Sequence, residues 1–215
     1  LEMPCEDMIL RLFCLNNKVS NTDLYRKKDL IYPGQWDIFK KENENLSLVL
    51  SDFIGKKSED IENFIEQLET KPDIVIIDHI QEIEKTDKDK KDTIDRYLNH
   101  IRTLAIRNNF ALIICSQINR IGQNEKDKRP QLWQLKGSGA IEEIADLIML
   151  LYWPYHYDNS QNINKFEIAI AKNRNGMTGY LNIKFIPEYY LFKDNEENKQ
   201  NEVDLSELAK DGWQE

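Results

Sequence analysis

Apolar side chains recur at helical spacing near the start of the chain, where Met8, Leu12, Leu15 and Val19 follow Pro4, a residue suited to a first helical turn. That spacing predicts an amphipathic helix. "LSLVLSD" at 46–52 reads as a strand, and "SEDIENFIEQLE" at 58–69 as a helix opening on a serine cap. "DIVIID" at 73–78 is apolar on both faces, the pattern of a strand buried inside a parallel sheet. The alternation then repeats, with "DTIDRYLNHIRTLAIRN" (92–108) helical and "FALIICSQ" (110–117) and "ADLIMLLYW" (145–153) as further strands. Together these predict an α/β fold with a mostly parallel sheet flanked by helices. "KFEIAIAKNR" (165–174), "GYLNIKF" (179–185) and "YYLF" (189–192) follow with little helix between them, which predicts an antiparallel C-terminal extension. The charged stretches at 84–92 and 119–130 read as loops beyond strand ends, where α/β proteins place ligands.

With 215 residues and 40% apolar content, the chain can bury the core of one large domain. Residues 1–194 carry the patterned elements, and 195–215 form a polar, acidic tail. A formal net charge of −9 argues against a surface that binds nucleic acid all over and leaves room only for a local basic site. Three cysteines without CxxC spacing and three scattered histidines argue against a disulfide framework or a structural zinc. No apolar stretch reaches the length of a membrane span and no export signal opens the chain, so the cytoplasm is expected. The chain starts at Leu1, with no initiator methionine, and reads as a piece of something longer.

Four short stretches bear candidate chemistry. Asp78 ends a wholly apolar strand, where a carboxylate is costly unless a cation pairs with it. It is either a holder of Mg2+ on a nucleotide or a cap for the next turn. Ser116 and Gln117 end the neighbouring strand, and a neutral amide there can donate to a terminal phosphate, although turn chemistry accounts for it equally. "LKGSGAIEEIAD" (135–146) sets a lysine and two glycines before a helix, as either a phosphate-approaching loop or an ordinary turn. Lys172 and Arg174 lie two apart, hence on one face of a strand, as surface charge or as a finger toward an adjacent subunit.

In order and spacing, "LEM", "PDIVIIDHIQ", "ALIICSQINR", "DKRPQLWQLKGSGAIEEIADLIMLLY" and "IAKNRNGMTGYLNIKFIPEY" resemble the RecA-like ATPase core of replicative DNA helicases, the DnaB-like family. The resemblance runs from Leu1 to about Asp194. It implies that Glu2 activates the attacking water, Asp78 takes the Walker B role at Mg2+, and Gln117 senses the γ-phosphate of ATP. It further implies that Lys136, Gly137, Ser138 and Gly139 grip single-stranded DNA in a central channel. Lys172 and Arg174 would reach into the neighbouring subunit's ATP site. Members of the family form homo-hexameric rings that move 5′ to 3′ along one strand, and primase and a helicase loader are the expected partners.

The chain departs from the family pattern in places. His79 stands where tyrosine commonly follows the Walker B aspartate, and Gly137 stands where bacterial members often have glutamate, so that "GSGA" looks more like the phage primase-helicase branch. No GxxxxGK[ST] occurs; the nearest fragment, "GKKS" at 55–58, lacks the first glycine. The expectation is therefore an N-terminally truncated core, inactive by itself because the phosphate-binding loop is absent. The alternatives are a degenerate paralogue acting as a ring partner or loader-docking module, and a RecA-fold ATPase of the recombinase or clock-protein type.

Overall fold

The computed structural model describes residues 3–26, 34–53, 57–82, 90–118, 127–135 and 139–195. The first element, α1 (Cys5–Asn17), begins one residue after the predicted start, with Pro4 as its N-cap and the Pro4 carbonyl accepting from Asp7 and Met8. It ends at Lys18, whose φ of 52° turns the chain left-handed. Its buried face is Phe13 and Cys14, with Leu10 and Leu12 beside them, so the predicted stripe through Met8 and Leu15 lies along its margin. Two short helices that the periodicity does not reveal, α2 (Asn21–Arg26) and α3 (Gln35–Glu42), complete this unit. Leu24 and Phe39 close its core, and Trp36 stacks on Phe13 with ring centroids 4.3 Å apart.

Residues 46–52, predicted as a strand, form none. No strand pairs with them among the described residues, and Leu46, Leu48 and Val49 are exposed. A strand exists through its ladder, and alternation in sequence does not supply a neighbour. The next helix, α4 (Ser58–Gln67), starts on Lys57 and not on a serine cap: the Asp60 carboxylate accepts the Lys57 backbone N–H at 2.9 Å, and Ser58 turns to His100.

The main core lies between two helices and a parallel pair of strands. β1 (Ile74–Ile77) and β2 (Ala111–Ile114) pair in register from Ile74↔Ala111 to Ile77↔Ile114. The long helix α5 (Lys90–Asn108) returns between them as the crossover, and it packs Tyr97, Leu98, Ile101 and Leu104 against Ile61 and Ile65 of α4 and against Ile77. Arg107 and His100 of α5 both meet Glu62 of α4, which ties the helices at their polar edge. After β2, the short helix α6 (Gly139–Ile144) packs Ala140, Ile141 and Ile144 on the same core.

Both faces of β1 are apolar as predicted, but among the described residues only one is covered. Ile74 and Ile76 point away from the helices and are 55% and 64% exposed. The reading of 145–153 as a further parallel strand is corrected. β3 (Leu147–Tyr152) pairs antiparallel with β4 (Lys165–Asn173), which continues through β5 (Gly179–Ile186) to β6 (Leu191–Asp194) in a four-stranded sheet of its own. An apolar run that suits a buried parallel strand also suits any strand with one covered face, so composition could not choose its partner. A single-turn helix, α7 (Pro154–Tyr157), leads from β3 toward β4. β6 starts two residues later than predicted because Pro187–Tyr190 form the turn, with Tyr190 at φ 54°.

Candidate functional site

Two groups of predicted residues come together, one at each end of the segment that joins β2 to α6. At the carboxyl edge of the parallel strands, Asp78 follows β1 directly and is exposed, across a cis peptide bond from buried His79. The Cys115 thiol at the end of β2 hydrogen-bonds with Asp78. Burial first, then the charge and hydrogen bond of Asp78, push that thiol above its ordinary pKa, so it stays protonated and brings no competing negative charge.

Gln81, which no motif singles out, clamps the two strand ends. Its side-chain amide donates to Ser116 Oγ at 2.8 Å, and its Oε1 accepts the Gln117 backbone N–H at 3.1 Å. Gln117 therefore has a fixed backbone and an exposed side chain, and Ser116 serves the clamp. The signal for Gln81 is a lone amide three residues past Asp78, too common a turn residue to single out.

One residue further on, Ile118 bridges Leu135 in antiparallel fashion. Leu135 ends a short segment tied down at several points. Arg129 grips Glu167 of β4 with bonds of 2.7 and 3.1 Å and lies over the Tyr152 ring, and Gln134, 1% exposed, accepts the Gln131 N–H. Arg129 first, then Lys165, hold the Glu167 carboxyl below the usual range, against the opposing effect of burial. A lowered native pKa contributes stability above the ordinary glutamate value of about 4.3 and loses it as pH falls through the native value. Glu167→Gln is accordingly expected to cost about 1.5–3 kcal/mol at pH 7, the range for charge-assisted hydrogen bonds, and progressively less below pH ~4. Urea unfolding of both proteins across this pH range checks it; a gap that stays constant with pH contradicts the assignment.

The second group surrounds α6. Lys172 and Arg174 face the same way, as predicted, and both turn onto the C-terminal end of this helix. Lys172 Nζ donates to the carbonyls of Glu142 and Glu143. Arg174 Nη1 lies 2.9 Å from Asp146 Oδ1, Nη2 donates to the Glu143 carbonyl at 2.6 Å, and its backbone N–H donates to the Asp146 carbonyl. Cations at a helix C-terminus satisfy carbonyls that lack intrahelical partners. Asp146 escapes sequence reasoning because nothing in "EEIAD" distinguishes it; only the β3–β4 register brings it to Arg174. Of the predicted DNA loop, Gly139 is the first residue of α6, whereas Lys136, Gly137 and Ser138, like Glu2, lie outside the described residues. Among the described residues no three acidic, histidine or cysteine side chains form a metal cage. No helix of the described residues is long and apolar enough to cross a membrane.

The profile of the DnaB-like helicase C-terminal domain family matches residues 1–194. The chain belongs to that family. As a DnaB-like domain it is 28% identical over 201 residues to the replicative DNA helicase DnaB of Geobacillus stearothermophilus, covering 89% of this chain and 44% of that protein. It is 27% identical over 200 residues to the replicative DNA helicase DnaC of Bacillus subtilis, again covering 89% and 44%. The chain thus spans less than half the length of these curated relatives. Among solved structures, a DnaB-like replicative helicase, solved in a study of its interactions with primase, superimposes with a TM-score of 0.81 at 28% identity, covering 91% of this chain and 49% of that one. A second solved structure, of an ATPase domain, also gives 0.81 at 28% identity, covering 91% and 72%. The fold of this DnaB-like domain is accordingly RecA-like, with a parallel sheet and an antiparallel one.

Proposed function

We propose that this chain is the motor core of a replicative DNA helicase, which couples ATP hydrolysis in a homo-hexameric ring to movement along single-stranded DNA and unwinding of the duplex. The observation that supports it best is the Ile118↔Leu135 bridge. It joins the strand end bearing Gln117 to the residue just before Lys136, so a shift at one is passed to the other through backbone. A phosphate sensor and a DNA-gripping loop need such a link, and an ordinary pair of turns does not.

Asp78 suits Mg2+, which keeps waters and phosphate oxygens around it and takes only one or two carboxylates from a protein. Its carboxylate is exposed at the strand mouth and takes a hydrogen bond from the neutral Cys115 thiol. Asp78 would hold the ion there, and the ion would supply positive charge to offset that of the ATP phosphates. Glu2 would orient and deprotonate the attacking water, and Gln117 would donate to the γ-phosphate. Lys172 and Arg174 would offset charge on the nucleotide of the adjacent subunit. Lys136, Gly137, Ser138 and Gly139 would follow the DNA backbone, and six such lysines around a channel suffice despite the net charge of −9. Because no GxxxxGK[ST] lies in these 215 residues, the chain alone is expected to hold ATP weakly. Primase and a helicase loader are the proposed partners, in the cytoplasm.

The test is a forked-duplex assay with the intact gene product. ATP and Mg2+ are expected to drive strand separation, with hydrolysis that rises on adding single-stranded DNA. Subunit association without nucleotide affinity would favour a ring-partner role instead.

A further inference from the structure

Arg174 is engaged inside its own chain by groups that take no part in hydrolysis, and this bears on how its reach toward a neighbour is controlled; the inference rests on the reading of Arg174 given above. We propose that Asp146 and the C-terminal carbonyls of α6 form a latch that holds Arg174 withdrawn, in competition with the nucleotide phosphates of the adjacent subunit.

The guanidinium geometry sets up the competition. Nη1 meets the Asp146 carboxylate at 2.9 Å and Nη2 the Glu143 carbonyl at 2.6 Å, so both terminal nitrogens of the fork are in use. Those nitrogens also form the paired bonds to a phosphate; each keeps a second N–H, but the Asp146 carboxylate held against the fork repels an approaching phosphate, so the two anions compete for it. Lys172 bonds the carbonyls of Glu142 and Glu143 on the same helix end, so the helix holds both members of the pair.

The strength is right for a bias and too small for a trap. Asp146 is 74% exposed and Arg174 45%, and ion pairs so open to water shift an equilibrium by at most about fivefold. A charge-assisted fork on a desolvated phosphate outweighs that.

The latch is also joined to the DNA side of the domain. α6 is a single short helix that begins at Gly139, the last residue of the proposed DNA loop, and ends at the carbonyls that hold Arg174. Ala140, Ile141 and Ile144 pack on the main core along its length, so its two ends belong to one short rigid element. DNA pulling on its start moves the Glu143 carbonyl and Asp146 at its end, which loosens the latch and frees Arg174.

The experiment measures ATP hydrolysis by the intact protein with and without saturating single-stranded DNA. Asp146→Asn is expected to raise the DNA-free rate by about twofold to fivefold and to leave the DNA-saturated rate unchanged, so the stimulation ratio falls by the same factor. Asp146→Glu should restore wild-type behaviour, and the gap between wild type and Asp146→Asn should narrow as salt screens the pair. Asp146→Ser serves as a second variant should the asparagine form be unstable. A DNA-free rate at or below that of wild type in both variants overturns the latch. Arg174→Ala separates the two readings. If hydrolysis survives it, the role of Arg174 itself is wrong; if hydrolysis is lost while the Asp146 variants behave like wild type, only the latch fails.

Discussion

Replacing Arg174 with alanine in the intact protein is expected to lower DNA-stimulated ATP hydrolysis by about a thousandfold or more, the lower end of the range for an arginine acting on a transferring phosphoryl group. A thousandfold corresponds to about 4 kcal/mol of transition-state stabilisation. The contacts Arg174 makes within its own chain cannot account for such a loss. Its bonds to Asp146 and to the Glu143 carbonyl are exposed. Their removal costs about 1 kcal/mol, or less than tenfold in any rate that depended on them. Magnitude therefore separates the two roles: a drop of a few fold marks a residue that only steadies α6, and a thousandfold drop marks one that meets the phosphate. Lys172→Ala is the natural companion, because its ammonium bonds two carbonyls of the same helix end. Mixing Arg174→Ala subunits with subunits that lack Mg2+ binding sharpens the test, since a finger supplied across an interface rescues activity only in mixed rings. Full activity of Arg174→Ala would remove the reading of this pair as a finger.

The second large effect is expected at Asp78. Asp78→Asn keeps the shape of the side chain, removes its charge and leaves a weaker Mg2+ ligand. Metal-ion stabilisation of developing charge amounts to several kcal/mol, so hydrolysis should fall by about a hundredfold or more and need higher Mg2+. Stability should hardly change, because Asp78 is exposed and the strand ends are held by the Gln81 clamp. A thermal midpoint close to that of wild type, combined with lost hydrolysis, is thus the expected pair of results. Retained hydrolysis at ordinary Mg2+ would assign Asp78 to turn geometry alone.

Both predictions depend on where the structure places residues that look ordinary in sequence. At the end of a wholly apolar strand, Asp78 looks like a buried carboxylate in need of a cation. The structure exposes it, so burial no longer demands a cation, and its position at the strand mouth beside Cys115 remains. Lys172 and Arg174 are legible as a same-face pair from their spacing. Their partners are not, because those partners are backbone carbonyls of α6 and an aspartate 28 residues before Arg174 in the chain.

The sequence by itself determined the helices and strands whose apolar spacing is strong, from α4 through β5, since burial of one face requires that spacing wherever the element ends up. It also carried the family, through long stretches such as "LKGSGAIEEIAD" and "AKNRNGMTG" that local rules alone do not demand. Only the tertiary structure decided which strands pair, because an apolar run is compatible with either a parallel or an antiparallel neighbour; β3 took β4, and 46–52 took none among the described residues. It likewise decided the Gln81 clamp, the Arg129–Glu167 pair and the Asp146–Arg174 pair. Each joins polar groups 28 to 38 residues apart whose meeting is set by sheet register and chain path, quantities that no local pattern of residues encodes.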